Sequence, residues 1–310
     1  SIDELPLLPK KRYRYMYDYF ANRGKYAHNM MKGTASTQVC LDYCSESDFV
    51  KKSRVAAFLS GMMNRFFDNS PFFEGGLASR AGIRNTIWSN CDMDRCGLPK
   101  DIFTDGYGYE GYAEYILSKP PILMKRNNEL FFTGDRPLRE VFDPDGSTPR
   151  ELDHILSMYF FDIRLRNYLE LRMGDSLPYP YNIAYAAMWK GLLYNPRNLN
   201  LLYEEARGYD ERDMAELNRE ILEKGLHAGL SRGTLLDLFT CAASMALEGL
   251  DCCEKTFMSV IMEMLQNETT PRDITLGRLH HGMEKALSWC ALNGVKGLKR
   301  GDCLECCGTV

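Results

Sequence analysis

The pattern of the chain changes near residue 180. Residues 1–180 mix strand-like and helix-like stretches, whereas residues 181–293 read as almost continuous helix. The expected organisation follows: a sheet-bearing region over 1–180, a helical region of the same domain over 181–294, and a weakly patterned tail over 295–310. Helix starts are legible. Thr148-Pro149-Arg150-Glu151 is a capping box with proline at the first helical position, and Thr270-Pro271-Arg272-Asp273 repeats the hydroxyl, proline and acid. Gly225 and Gly294 stand where helices can stop. Residues 235–247 and 257–265 carry apolar side chains at helical spacing, which reads as core faces rather than partner-binding faces.

With 310 residues there is material for one large domain or two ordinary ones, and 45% hydrophobic with 26% charged residues is a globular composition. A net charge of -4 gives no reason to expect nucleic acid or an anionic membrane as partner. No apolar run approaches the ~20 residues that span a bilayer. Ser1-Ile2-Asp3-Glu4-Leu5-Pro6 has neither the basic start nor the apolar core of a signal peptide. The 11 cysteines are odd in number and not spaced like a secreted scaffold, so a reducing, cytoplasmic location is expected.

Two stretches read as strands with chemically loaded faces. In residues 166–172 alternation puts Arg166, Tyr168, Glu170 and Arg172 on one face, with Leu169 and Leu171 on the other. A carboxylate there can hold a hard cation such as Mg²⁺, and a guanidinium can grip a phosphate through two parallel hydrogen bonds. In residues 36–42 the polar face carries Ser36, Gln38, Cys40 and Asp42, and Ser45-Glu46-Ser47-Asp48 then caps a helix. Small hydrogen-bonding groups suit an amino-acid pocket. On spacing alone a solvated sheet face is the commoner reading of both. A loop from Arg84-Asn85-Thr86-Ile87-Trp88 to Asp92-Met93-Asp94-Arg95-Cys96-Gly97 places arginines where a substrate carboxylate can be bound.

Together these stretches resemble the glutamate–cysteine ligase family, in particular its plant and proteobacterial branch. Pro9-Lys10-Lys11-Arg12-Tyr13 is similar to the family's P-K-x-R-Y. Met30-Met31, Thr34 and Gln38-Val39-Cys40-Leu41-Asp42 resemble M-M-x-x-T-x-x-x-Q-V-N-L-D. Asn69-Ser70-Pro71-Phe72 with Glu74-Gly75 resembles N-S-P-F-x-E-G, and Arg84 to Gly97 resembles R-S-x-I-W-x-x-x-D-x-D-R-x-G. The run from His154 ends Arg164-Leu165-Arg166-Asn167-Tyr168-Leu169-Glu170-Leu171-Arg172, like the family's R-L-x-x-Y-L-E-x-R.

The resemblance implies an α+β, glutamine synthetase-like core, a curved antiparallel sheet packed with helices and followed by a mostly helical C-terminal half. It implies ATP and Mg²⁺ as cofactors, glutamate and cysteine as substrates, and ligation through a γ-glutamyl phosphate, the first step of glutathione synthesis. Carried over residue by residue, Glu170 matches a metal-ligand glutamate and Arg172 the arginine at the transferred phosphate of ATP. Gln38 and Cys40 fall in the strand lining the substrate pocket, and Arg84 and Arg95 match arginines assigned to substrate carboxylates. Cys40 replaces the family's asparagine and puts glutamate selectivity in question. The family's E-x-E metal-ligand strands match nothing after Ser1. The expectation is therefore a chain lacking half the metal site, completed by a preceding segment or a partner chain, and catalytically dead alone. The alternatives are a γ-glutamyl ligase for another amine and a non-catalytic amino-acid-binding module.

The Cys303-Leu304-Glu305-Cys306-Cys307 cluster supplies too few ligands for tetrahedral zinc unless Cys252-Cys253 joins it, and adjacent cysteines make poor co-ligands. His280-His281 is expected in a helix, where neighbours diverge by about 100°. His154, on its capped helix, reads as a core histidine without a catalytic role.

Overall fold

The computed structural model describes residues 1–126, 129–230 and 233–291. Its centre is a small antiparallel sheet of β1 (Val39–Leu41), β2 (Ile163–Leu165) and β3 (Leu169–Leu171), with β3 in the middle. The register pairs Val39 and Ile163 with Leu171, Cys40 and Arg164 with Glu170, and Leu41 and Leu165 with Leu169. Because side chains alternate along a strand, Cys40, Glu170 and Arg164 form one polar row, and the two flanking rows turn apolar side chains to the opposite face.

That apolar face is the centre of the larger core. Helix Glu46–Phe58 packs on β2 and β3, and helix Tyr181–Leu193 packs on β1. Ile163, Leu169 and Leu171 are fully buried with Phe49, Val55, Tyr185 and Trp189. The same core continues into helices Leu235–Glu248 and Ser259–Gln266, so it runs through both sequence regions. Gly191 lets two of these helices touch, since a Cβ there would overlap the backbone of Ala246. A second core joins helix Lys11–Phe20 to helix Ile83–Ser89 and the hairpin Ile122–Arg126/Glu129–Gly134 through Phe20, Met30, Trp88, Leu123 and Met158. Mixed helices and small sheets make the class α+β.

The caps form as expected. Ser45 accepts from the Asp48 N–H, Thr148 and Thr270 close full capping boxes, and Gly225 ends helix Glu211–Lys224 at φ 64°. Residues 257–265 divide into a 3₁₀ turn, Thr256–Met258, and helix Ser259–Gln266. Three expectations are corrected. Residues 166–172 are not one strand: residues 166–168 turn the hairpin between β2 and β3, so Arg164 rather than Arg166 faces Glu170. Arg84 to Trp88 lies in helix Ile83–Ser89, not a loop. His280 and His281 sit in a 3₁₀ turn. Gly294 and the Cys303, Cys306 and Cys307 cluster lie outside the described residues.

Candidate active site

The polar row of the sheet gathers a carboxylate, two guanidiniums, an amide and a thiol. Glu170 Oε2 meets Arg164 Nη2 at 2.5 Å and Arg172 Nη1 at 3.3 Å. The Gln38 amide, oriented so that both ends are paired, donates to Glu170 Oε1 at 3.1 Å and accepts from Arg172 at 2.8 Å. Glu170, Arg164 and Arg172 are all buried, whereas Gln38 and Cys40 are exposed, so the cluster opens to solvent on the side of β1. Arg164 and Arg172 share the Glu170 carboxylate, and Arg172 also feels the charge of Asp162. Burial lowers the pKa of both guanidiniums, partly opposed by Glu170, and neighbouring arginines lower them further. Burial, then the Glu170 charge, raises the Cys40 thiol, so it is protonated at neutral pH.

Helix Ile83–Ser89 braces this cluster from the side. Trp88 has Arg84 Cζ at 5.5 Å and Arg172 Cζ at 5.6 Å from its ring, within cation–π range of both. Arg84 is buried and donates to the carbonyls of Met173 at 3.1 Å and Arg172 at 2.9 Å, with Asp175 Oδ1 3.7 Å from its Nε. It ties the helix to the chain leaving β3. Gly174 lies in the same stretch because Tyr185 packs against it; a Cβ would stand 2.8 Å from the ring.

Arg84 also borders a cavity of about 460 Å³, lined in addition by Asn29, Thr34, Asn69, Ser70 and Glu74. Glu74 accepts from the side chain of Asn29 and from the Ile2 N–H at 2.9 Å. Ser70 Oγ donates to Asp175 at 2.5 Å. Burial pushes Asp175 up, and burial with the Asp175 charge pushes nearby Asp68 up to about 6.

The structure thus brings Gln38, Cys40, Glu170 and Arg172 together, with Arg84 one layer away. Arg95 is not part of the group. It is 0% exposed, and its donors go to Asp92 at 2.6 Å, the Met158 carbonyl, the Tyr19 hydroxyl and the Pro120 carbonyl, which makes it a structural tie. Arg164, Trp88 and the cavity residues Asn69, Ser70 and Glu74 were not singled out in the sequence. The motif R-L-x-x-Y-L-E-x-R starts on Arg164 and N-S-P-F-x-E-G contains Asn69, Ser70 and Glu74, so the signal was present.

The donor set does not fit Mg²⁺. Glu170 stands alone between two guanidiniums, both its oxygens are engaged, and no group of three or more His, Cys, Asp or Glu able to hold a metal occurs among the described residues. It fits an anion with several oxygens, for which paired arginines are suited. His154 is half-buried on helix Pro149–Leu156; burial, then Arg12 and Lys125, lowers its pKa and keeps it neutral at pH 7.

The profile of glutamate-cysteine ligase family 2 matches residues 2–242. The chain belongs to the glutamate–cysteine ligase family. It is 28% identical over 292 residues to "Glutamate--cysteine ligase, chloroplastic" of Nicotiana tabacum, covering 91% of this chain and 56% of that protein. It is also 28% identical over 283 residues to "Glutamate--cysteine ligase B, chloroplastic" of Oryza sativa subsp. japonica, covering 88% and 57%. The corresponding protein of Arabidopsis thaliana is 28% identical over 281 residues, covering 87% and 54%. The chain therefore spans somewhat over half the length of these relatives. The cytoplasmic assignment is corrected by them, because all three are named chloroplastic.

Proposed function

We propose that this chain supplies the arginine face of an ATP-dependent ligase that joins the γ-carboxylate of glutamate to the amine of cysteine, the first step of glutathione synthesis, in a plastid. The observation that carries the reading is the shared Glu170 Oε2, flanked by Arg164 and Arg172 on the polar row of the three-stranded sheet. In the first half-reaction a γ-carboxylate oxygen attacks the γ-phosphorus of ATP and ADP leaves. In the second the cysteine amine attacks the acyl carbon and phosphate leaves. Negative charge gathers on the transferring phosphoryl group in both, and prepositioned guanidiniums stabilise it without reorganising. Arg172 is the residue at that group, Arg164 shares the load, and Gln38 with Cys40 borders the amino-acid side. Arg84 places Arg172 by holding its carbonyl.

The test is ADP release from ATP with each substrate omitted in turn. Release that needs both glutamate and an amine, with cysteine the best acceptor, supports the reading. Turnover indifferent to glutamate overturns it, and binding of glutamate without turnover marks an amino-acid-binding module. Cys40 favours one second reading, γ-glutamyl transfer to a different amine, because a thiol stands beside Glu170 where the family carries an amide. A panel of amines in the same assay separates the two.

A further inference from the structure

Arg172 has a second acidic neighbour, and the phosphoryl-transfer reading leaves it unused. Asp162 immediately precedes β2 and carries its pairing with β3 one step further: the Arg172 N–H donates to the Asp162 carbonyl at 2.9 Å. The Asp162 N–H donates in turn to the Gly97 carbonyl at 2.8 Å, so its backbone is held from both sides. Residues opposite each other in an antiparallel pair have Cβ atoms roughly 4.5–5.5 Å apart. On the other flank Val39 pairs with Leu171, which brings Gln38 opposite Arg172. Arg172 therefore stands between an amide and a carboxylate.

The amide is engaged and the carboxylate is not. Gln38 bonds both Glu170 and Arg172. Among the described residues no hydrogen bond or ion pair reaches the Asp162 side chain. The charges that face it are Arg84, from helix Ile83–Ser89, and Arg172; the Tyr185 hydroxyl of helix Tyr181–Leu193 also faces it and stays protonated, its pKa pushed up to about 12. Asp162 is half-buried. Burial pushes its pKa up, Arg84 and Arg172 pull it down, and the balance is raised, so it accepts a proton more readily than an exposed aspartate.

We propose that Asp162 is the general base of the second half-reaction, receiving the ammonium group of the incoming amino acid and taking one proton from it. The role rests on the ligase reading above and supplies a step that reading leaves open. An α-amino group titrates near 8, as a rough figure, so at neutral pH it arrives as an ammonium with no lone pair. Transfer of one proton to an Asp162 carboxylate oxygen frees the pair. The nitrogen then bonds to the acyl carbon, the bond from that carbon to the phosphate oxygen breaks, and the phosphate leaves with the electron pair and carries off the second proton. Asp162 returns its proton to solvent. The placement suits this order: a phosphoryl group at Arg172 is linked to the acyl carbon through one oxygen, and an amine at Asp162 stands one strand spacing away, about 4.8 Å.

The experiment compares two amines in the ADP-release assay on the full chain, with and without Asp162→Asn. With cysteine, the variant should lose on the order of 100-fold or more of the glutamate-dependent rate. Hydroxylamine is unprotonated at neutral pH and needs no base, so with it the variant should stay within about threefold of the parent. The activity lost with cysteine should return as pH is raised, about tenfold per unit until the amine's own pKa is reached. Equal losses with both amines would make Asp162 a support for Arg172 and overturn the proposal, and so would an unchanged rate with cysteine. Parent turnover that ignores glutamate would overturn the ligase reading, and this role falls with it. If the chain binds its substrates without turnover, calorimetric titration of cysteine in the presence of glutamate decides: Asp162→Asn should bind roughly tenfold more weakly, and equal affinity overturns the role. Asp162→Ser, equally uncharged and smaller, serves in every arm should the amide variant not fold.

Discussion

Two buried arginine centres, at Arg95 and at Arg172, differ in how their charge is met. At Arg95 one guanidinium faces one carboxylate, and the remaining donors are absorbed by carbonyls and the Tyr19 hydroxyl. Burial pulls the Arg95 pKa down, but Asp92 together with Tyr19 and Tyr159 outweighs it and the balance is raised; Asp92 is held below the usual carboxylate range despite its burial. At Arg172 two guanidiniums divide one carboxylate, both are lowered, and the face opens through Gln38 and Cys40. A closed centre of matched charge holds structure together. An open centre leaves guanidiniums within reach of solvent, which is what the proposed contact with a phosphoryl group needs.

The largest expected effect breaks the closed centre. Asp92→Ala leaves a fully buried guanidinium unpaired, and stability in urea should fall by about 3–5 kcal/mol. A loss under about 1 kcal/mol would mean that Tyr19 and the carbonyls suffice. Glu170→Gln should cost less, roughly 2–3 kcal/mol, because Arg172 keeps Gln38 and Arg164 keeps the Tyr159 carbonyl. Equal losses in the two variants would erase the distinction between the centres.

For Arg172→Lys the loss should fall on activity. Lysine keeps the charge but gives up the planar guanidinium, whose Nη1 meets both Glu170 and Gln38, and with it the two-point grip on a phosphate. Glutamate-dependent ADP release should drop by a factor corresponding to about 2–4 kcal/mol of transition-state stabilisation. Activity within about threefold of the parent would reduce Arg172 to a long-range charge.

How much of this was readable in advance depends on how local the signal is. Caps at Ser45, Thr148 and Thr270 use side chains three residues from their targets, so sequence spacing suffices. Helix Ile83–Ser89 escaped because it starts after Gly82 at φ 68°, with no side-chain cap to announce it. The polar row escaped in part because its register is tertiary: Cys40 meets Glu170 across most of the sheet region, and the turn at 166–168 decides that Arg164 is its other neighbour. Arg95 looked like a ligand arginine because a sequence shows that a residue is charged and not what has already consumed its donors.

A third buried charge tests the same principle with two acids. Asp68 titrates at about 6 in the folded protein against 3.8 in the unfolded chain, raised by burial and by Asp175. The folded state therefore holds this proton more tightly. The stabilisation is complete below about 3.8 and is lost as pH rises through about 6. Between pH 5 and pH 7.5 the parent should lose on the order of 1–3 kcal/mol by this route. Asp68→Asn should flatten that slope while lowering stability throughout, because one amide oxygen cannot serve the N–H groups of both Ser70 and Gly82. An unchanged slope would place the titration elsewhere.

The smallest effect on stability, and the one that most sharpens the open centre, is Cys40→Asn. The side chain is exposed at the edge of the polar row, so stability should change by no more than about 0.5 kcal/mol. Its neighbours make the position sensitive in another way. Cys40 stands opposite Glu170, two residues from Gln38, on the side where the amino-acid substrates would approach. A protonated thiol there offers a weak donor and a weak acceptor, whereas an amide offers two good donors and a good acceptor. If the open centre selects glutamate through this edge, asparagine should lower the KM for glutamate several-fold with kcat little changed, the mark of binding shared by ground and transition states. A change in kcat with constant KM would move Cys40 toward the reacting group. No change in either would confine selectivity to the cavity beside Arg84, with the sheet face serving the phosphoryl group alone.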